Sequence, residues 1–180
     1  MNIAVYCSAK DQIPEEYKLL GIRLGEWIAE SNHTLVFGGA TGGLMSCVSE
    51  AAFCNKGKVI GIVPKRIIQA GRTSNACTEL IEVDSMSKRK QKMRDMADLF
   101  VCLPGSYGTL DEMFDVIAAG TVMEHHKPLY IVNYNGFYSP LKEQVEHMKE
   151  LQFIPQEEVY KPQWVNSIEE LIAILEKKDN

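Results

Sequence analysis

Short apolar runs alternate with longer segments of helical periodicity from one end of this chain to the other. Ile3–Tyr6, Thr34–Phe37, Lys58–Val63, Glu79–Val83, Leu99–Leu103 and Leu129–Val132 are compact, largely apolar runs and read as strands. Between the first two, Tyr17, Leu20, Leu24 and Ile28 recur at the spacing of one helix face, which predicts a helix over Glu15–Ser31. Helices are likewise predicted over Leu44–Cys54, Ser87–Asp98, the segment from Leu110 onward, and Ser139–Leu151. The last helix opens at Ser167-Ile-Glu-Glu170, which fits a capping box. Arg66–Cys77 has weak periodicity and receives no element, and Ile154–Pro162 reads as a Pro-punctuated connection. Strands that alternate with helices pair in parallel and bury both sheet faces. The expectation is a single α/β domain over residues 1–180, a doubly wound parallel sheet with helices on both faces. In such sheets ligands sit beyond the carboxyl ends of the strands.

Composition narrows the classes. A net charge of −5 argues against nucleic acid as a partner. The start of the chain lacks a basic region followed by an apolar stretch, and no apolar run is long enough to span a bilayer. A soluble, cytoplasmic protein with no membrane partner is expected. Cys7, Cys47, Cys54, Cys77 and Cys102 are odd in number and contain no C-x-x-C, so reduced thiols are expected and not a disulfide framework or a zinc site. His125 and His126 are neighbours that cannot share a helix face, so no metal is assigned to them. They are expected to close a helix end, where cationic character is favourable.

Chemistry concentrates in Leu99–Ile117. The strand runs into Pro104-Gly105-Ser106-Tyr107-Gly108, and Thr109 opens a segment with Leu110, Met113, Phe114, Val116 and Ile117 at helical spacing. Glycines allow a sharp turn, and the free N–H groups of a helix start favour an anion. Thr109 and Glu112 fit T-x-x-E, so Glu112 is either a cap or a catalyst. A second glycine loop, Gly38-Gly39-Ala40-Thr41-Gly42-Gly43, follows the second strand. It matches neither the dinucleotide fingerprint, because Ala40 stands where glycine is needed, nor a Walker A loop, because Leu44 and Met45 follow it. Gly39, Gly42 and Gly43 are candidates to approach a phosphate, and a tight turn is the alternative. Ser8 and Lys10, after the first strand, add to the same crevice. In Lys88–Arg94 most cations suit a solvated face, but Arg89 shares a stripe with Met93 and Met96. A core-facing Arg needs an anion, either a carboxylate or a phosphate.

Arg89-Lys90 together with Pro104-Gly-Ser-Tyr-Gly-Thr-Leu-Asp-Glu112 resembles the two-part signature of the Lonely Guy family, cytokinin riboside 5′-monophosphate phosphoribohydrolases. The resemblance extends from Gly38–Met45 through Lys127-Pro128 to Asn135-Gly136-Phe137-Tyr138. It implies a Rossmann-like homodimer or higher homo-oligomer, without cofactor. The implied reaction hydrolyses the N-glycosidic bond of an adenine-type nucleoside 5′-monophosphate to free base and ribose 5-phosphate. By position it implies Arg89 and Glu112 as the catalytic pair, with Lys90, Gly105, Ser106, Tyr107, Gly108 and Thr109 as binding positions. The older label of such proteins, lysine decarboxylase-like, finds no evident pyridoxal-phosphate site in a chain this short. Four departures stand out. Ser87 replaces the motif histidine, Ser106 replaces the second glycine, Gly71 replaces a substrate-contacting Glu, and Ala118-Ala-Gly-Thr121 replaces Thr-Trp-Ala-Gln. They place the choice of base in question, with AMP itself as one alternative substrate and a non-catalytic nucleotide sensor or carrier as another. Met113–Met123 is apolar on nearly all sides, which the implied homodimer explains as an interface. Trp27 and Trp164 are expected in the core or at an interface.

Overall fold

The computed structural model of the chain describes residues 1–179. Its strands are β1 (Asn2–Tyr6), β2 (Thr34–Phe37), β3 (Lys58–Pro64), β4 (Glu79–Val83), β5 (Leu99–Cys102), β6 (Leu129–Val132) and β7 (Gln163–Val165). They form one sheet in the order β4-β3-β2-β1-β5-β6-β7, and every pairing is parallel. The helices are α1 (Glu15–Glu30), α2 (Gly43–Cys54), α3 (Lys65–Gln69), α4 (Met86–Met96), α5 (Tyr107–Thr121), α6 (Ser139–Glu150) and α7 (Ile168–Asp179). The expected doubly wound α/β architecture is present.

Alternation along each strand divides the core in two. Ile3, Val5, Leu35, Phe37, Leu99, Val101, Tyr130 and Val132 pack on one face with the buried residues of α1, α2 and α7. Ala4, Tyr6, Val36, Phe100, Cys102, Leu129 and Ile131 face the other way, against Met93, Met113 and Val116 of α4 and α5. Helices α1 and α2 approach closely because α1 carries Gly25, where a Cβ would lie 2.3 Å from the Val48 carbonyl oxygen. The strand order reverses between β1, whose chain continues outward to β2, and β5, whose chain continues outward to β6. This switch point opens the crevice in which such folds bind ligands.

Most predicted elements appear within one or two residues of their expected ends. The box at Ser167 also forms in modified register: Ser167 Oγ accepts the Glu170 N–H at 3.1 Å, and Glu170 reaches back to the Asn166 N–H at 2.7 Å. Two short elements have no periodic signal, α3, which overlaps the start of Arg66–Cys77, and the three-residue edge strand β7. Trp27 is buried in the core, and Trp164 is half-buried on β7. Among the described residues, no helix is long and apolar enough to cross a membrane.

His125 departs from its expected cationic role. Its ring is buried between Phe100 and Tyr160, with centroids at 5.4 and 5.0 Å. Nδ1 accepts the Lys127 N–H at 3.2 Å, so the ring is neutral with its proton on Nε2, which donates to the Val116 carbonyl at 2.9 Å. Burial lowers the His125 pKa, and the nearby Arg94 and Lys127 charges act the same way. A lowered native pKa leaves the folded state reluctant to take the proton that the unfolded chain accepts below about pH 6.5. Stability is therefore expected to fall as pH drops from 6.5 towards 5. The slope of unfolding free energy against pH should be shallower in His125→Gln, as read by urea denaturation across that range.

Candidate active site

Three connections meet beyond the carboxyl ends of β1, β2 and β5. The β1–α1 loop starts at Cys7 and Ser8, where the Ser8 N–H donates to the Pro104 carbonyl at 3.2 Å and the Ser8 carbonyl accepts the Met45 N–H at 3.0 Å. These bonds tie the β1 exit to the β5–α5 turn and to the first turn of α2. Between them lies a cleft of about 230 Å³ whose charged lining residues are Lys10, Arg72, Arg89 and Glu112. Ser8, Ser106, Gly108 and Thr109 line it as well. A second lobe of about 300 Å³ shares Ser8, Lys10 and Ser106 and has Ile13, Pro14, Tyr17 and Phe137 in its walls.

An ion pair forms the cleft floor. Arg89 of α4 and Glu112 of α5 are 8% and 4% exposed, and Arg89 Nη2 donates to Glu112 Oε1. The Arg89 partner left open by spacing is thus a carboxylate inside the crevice. Nη1 rests 3.7 Å from Met86 Sδ, and the buried Nε makes no hydrogen bond among the described residues. Burial pulls the Arg89 pKa down, opposed by the fields of Tyr6 and Asp111, and the group remains a cation at any physiological pH. Gly38 at the exit of β2 makes the space: a Cβ there would lie 3.0 Å from Nη2. Sequence reading missed this position because nothing marks a glycine that faces a side chain 51 residues away.

The expected Thr109–Glu112 capping box does not form. Helix α5 starts at Tyr107, two residues earlier, with Ser106 as its N-cap and no side-chain cap bond. The Glu112 carboxylate turns to Arg89, because a buried guanidinium binds it more strongly than a backbone N–H. Thr109 instead packs on Gly105, where a Cβ would lie 2.0 Å from Thr109 Oγ1. The first turn of α5 is left without a side-chain cap at the cleft.

A second layer of charges holds the two helices together. Lys90 Nζ lies 2.8 Å from Asp111 and 3.4 Å from Asp115, while Arg94 pairs with Asp115 and with Glu124 at 3.3 Å. Burial works against the Lys90 charge, but its bonds to Asp111 and Asp115 outweigh that and raise its pKa. Lys90 therefore bridges α4 to α5 and does not line the cleft. The i,i+4 pairs Lys90/Arg94 and Asp111/Asp115 carried this signal, unused in the sequence reading.

The other expected positions divide clearly. Ser8, Ser106, Gly108 and Thr109 come together in the cleft, and Gly105 lines the adjoining lobe. Tyr107 projects into solvent, 90% exposed. Gly39, Gly42 and Gly43 line neither lobe; the Gly42 N–H donates to Ser46 Oγ at 2.8 Å and the Gly43 N–H to Asp11 Oδ1 at 2.9 Å. Cys7 lies in the cleft wall, but burial holds its thiol well above the ordinary range, which removes it as a nucleophile near neutrality. Among the described residues, no group of three His, Cys, Asp or Glu side chains suits a metal ion.

The family described as "Possible lysine decarboxylase" matches residues 45–175. A cytokinin riboside 5′-monophosphate phosphoribohydrolase of Oryza sativa subsp. japonica is 37% identical over 139 residues, 77% of this chain and 57% of that protein. One of Rhodococcoides fascians is 35% identical over 147 residues, 81% of this chain and 74% of that one. The chain belongs to the Lonely Guy family. It spans 57–63% of the length of three other rice members of that family. Among solved structures, the molybdenum cofactor binding protein of Rippkaea orientalis has a TM-score of 0.74 at 21% identity, with 99% of this chain and 97% of that chain covered. At this identity the likeness extends to the fold alone.

The Arg89–Glu112 pair has a stability signature of its own. Removing one partner strands a buried charge, so Glu112→Ala is expected to cost roughly 3 kcal/mol or more. The apolar double variant Arg89→Met/Glu112→Leu should recover most of that loss, to within about 1 kcal/mol of the unmodified chain. Chemical denaturation of the single and double variants measures both.

Proposed function

We propose that the chain hydrolyses the N-glycosidic bond of an adenine-type nucleoside 5′-monophosphate, giving the free base and ribose 5-phosphate. The observation that carries this reading is the buried Arg89–Glu112 pair beside the uncapped first turn of α5. That combination offers a carboxylate at a fixed position and an anion site next to it. The 5′-phosphate sits against the N–H groups of Gly108 and Thr109. The ribose then lies over Glu112, with C1′ near the carboxylate.

Cleavage of the C1′–N9 bond passes through an oxocarbenium-like state whose positive charge the carboxylate stabilises. Glu112 orients water toward C1′ and takes its proton, the hydroxyl bonds to C1′, and the C1′–N9 bond electrons leave with the purine. The proton that Glu112 removed returns through water to the base, so that one water is consumed and the carboxylate is restored. Arg89 fixes the carboxylate through its Nη2–Glu112 Oε1 bond. No cofactor enters this scheme. The family relatives named as cytokinin riboside 5′-monophosphate phosphoribohydrolases support it. The aromatic walls of the second lobe suit a purine or an apolar substituent on it.

The same reading includes a homodimer. Phe114 and Ile117 of α5 border an apolar groove with Leu141, Val145 and Met148 of α6, and Phe153 beyond it is 80% exposed. An open apolar face of this kind is characteristic of an interface. Light scattering after gel filtration should give twice the chain mass, and Phe114→Glu should reduce it towards the monomer.

The activity is tested by incubating the protein with AMP and with isopentenyladenosine monophosphate and separating products chromatographically. Free base and ribose 5-phosphate in equal amounts are expected from at least one. Glu112→Gln should bind nucleotide and lose at least about a hundredfold in kcat, in the range for removing a positioned acid–base group. Binding without hydrolysis by the unmodified chain would favour a nucleotide carrier, and persistent turnover in Glu112→Gln would remove Glu112 from the chemistry.

A further inference from the structure

The cleft has two cations to spare. Arg89 and Glu112 neutralise each other, whereas Lys10 and Arg72 line the same cleft and make no ion pair or side-chain hydrogen bond among the described residues. This is a local positive surplus in a chain of net charge −5. The positive surplus at Arg72 has a built support. The Arg72 carbonyl accepts the Thr41 N–H at 2.9 Å, and the Arg72 N–H donates to the Ile67 carbonyl at 3.2 Å. On the following residues, Thr73 bridges to Ala40 and the Ser74 N–H donates to the Gly39 carbonyl at 2.9 Å. The second glycine loop thus clamps the α3–β4 connection and sets the origin of the Arg72 side chain at the cleft edge. Of the loop glycines that read as phosphate contacts, Gly39 has this different use: its carbonyl helps to hold the connection that carries the cation.

Topology places this cation across the cleft from the α5 turn. The α3–β4 connection is stitched to the loop after β2, the α5 turn follows β5, and β1 lies between those two strands. Lys10 stands on the loop after β1, its backbone N–H held at 3.2 Å by Ser8 Oγ. A tetrahedral dianion in the cleft can then be gripped from two sides, by α5 N–H groups and by the guanidinium fork, with the Lys10 ammonium between them.

We infer that Arg72, with Lys10, is a specificity residue that recognises the phosphate monoester of the substrate and separates nucleotides from nucleosides. This rests on the hydrolase reading only for the identity of the substrate, because a phosphate monoester is recognised in the same way without turnover.

Calorimetric titration with ribose 5-phosphate tests it directly. In Arg72→Ala the Kd for ribose 5-phosphate is expected to rise about tenfold, the scale of one charge-assisted hydrogen bond. Arg72→Lys should recover part of the loss, and the Kd for adenosine should move less than twofold. Because Arg72 is exposed, the fold does not depend on its side chain. A Kd for ribose 5-phosphate within twofold of the unmodified chain in Arg72→Ala overturns the inference, as does equal weakening of ribose 5-phosphate and adenosine. If the unmodified chain binds ribose 5-phosphate through Arg72 but leaves AMP intact, the hydrolase reading fails and this one stands. If AMP is hydrolysed and Arg72→Ala binds ribose 5-phosphate normally, the reverse holds.

Discussion

A guanidinium and a carboxylate buried together at the end of a sheet set the terms for everything around them. Desolvating either ion alone costs several kcal/mol, on the order of a small domain's whole stability, so Arg89 and Glu112 must arrive together. They come from different helices, which makes the relative position of α4 and α5 the critical variable. Met93 and Met113 fasten both helices to the sheet through the apolar core. Lys90, Arg94, Asp111 and Asp115 fasten them to each other on the outer side. Exposed ion pairs contribute little singly, and these are partly buried and share partners, the arrangement in which such pairs matter most. Their contribution lies in geometry more than in net stability.

The fold supplies the other half of the site through its switch point. Because the chain leaves β1 toward one edge and β5 toward the other, the loops beyond these neighbours diverge and leave a crevice between them. The Ser8 backbone bridges that crevice to both sides, by its N–H to Pro104 and by its carbonyl to Met45. Around it the fold gathers one buried ion pair, one helix start without a side-chain cap and two cations that are unpaired among the described residues, all on otherwise ordinary strands.

The sheet and most helices were legible because strand and helix periods differ and neither was interrupted. Arg89 was legible in part: its place on a methionine stripe demanded an anionic partner, and the partner came from elsewhere in the chain. Glu112 was left open locally between cap and catalyst, since T-x-x-E is a sound cap signal and only the tertiary pairing with Arg89 overrides it. The family resemblance implies Lys90 as a binding position beside Arg89, although adjacent helix residues point in different directions and Lys90 pairs with Asp111 and Asp115. Helix α3 and strand β7 are too short for any period to register. Arg72 lay in that same unreadable stretch, so its position in the cleft emerges only from three-dimensional stitching.

Two of the four departures from the family signature, Ser106 and Ser87, carry less weight in space than in sequence. Ser106 replaces a glycine, yet its backbone has φ −102° and ψ −156°, an extended conformation open to any residue. At Gly108 an added Cβ would meet nothing within 4 Å, whereas at Gly105 it would collide with Thr109. The turn thus requires one glycine of three positions, and that one is retained. Ser87 is exposed on the first turn of α4 and lines neither lobe of the site, so the missing motif histidine removes no group from the cleft floor. The loop therefore keeps an unstrained backbone, the buried ion pair keeps its place on the floor, and Lys10 and Arg72 stand with it in the lining of the cleft.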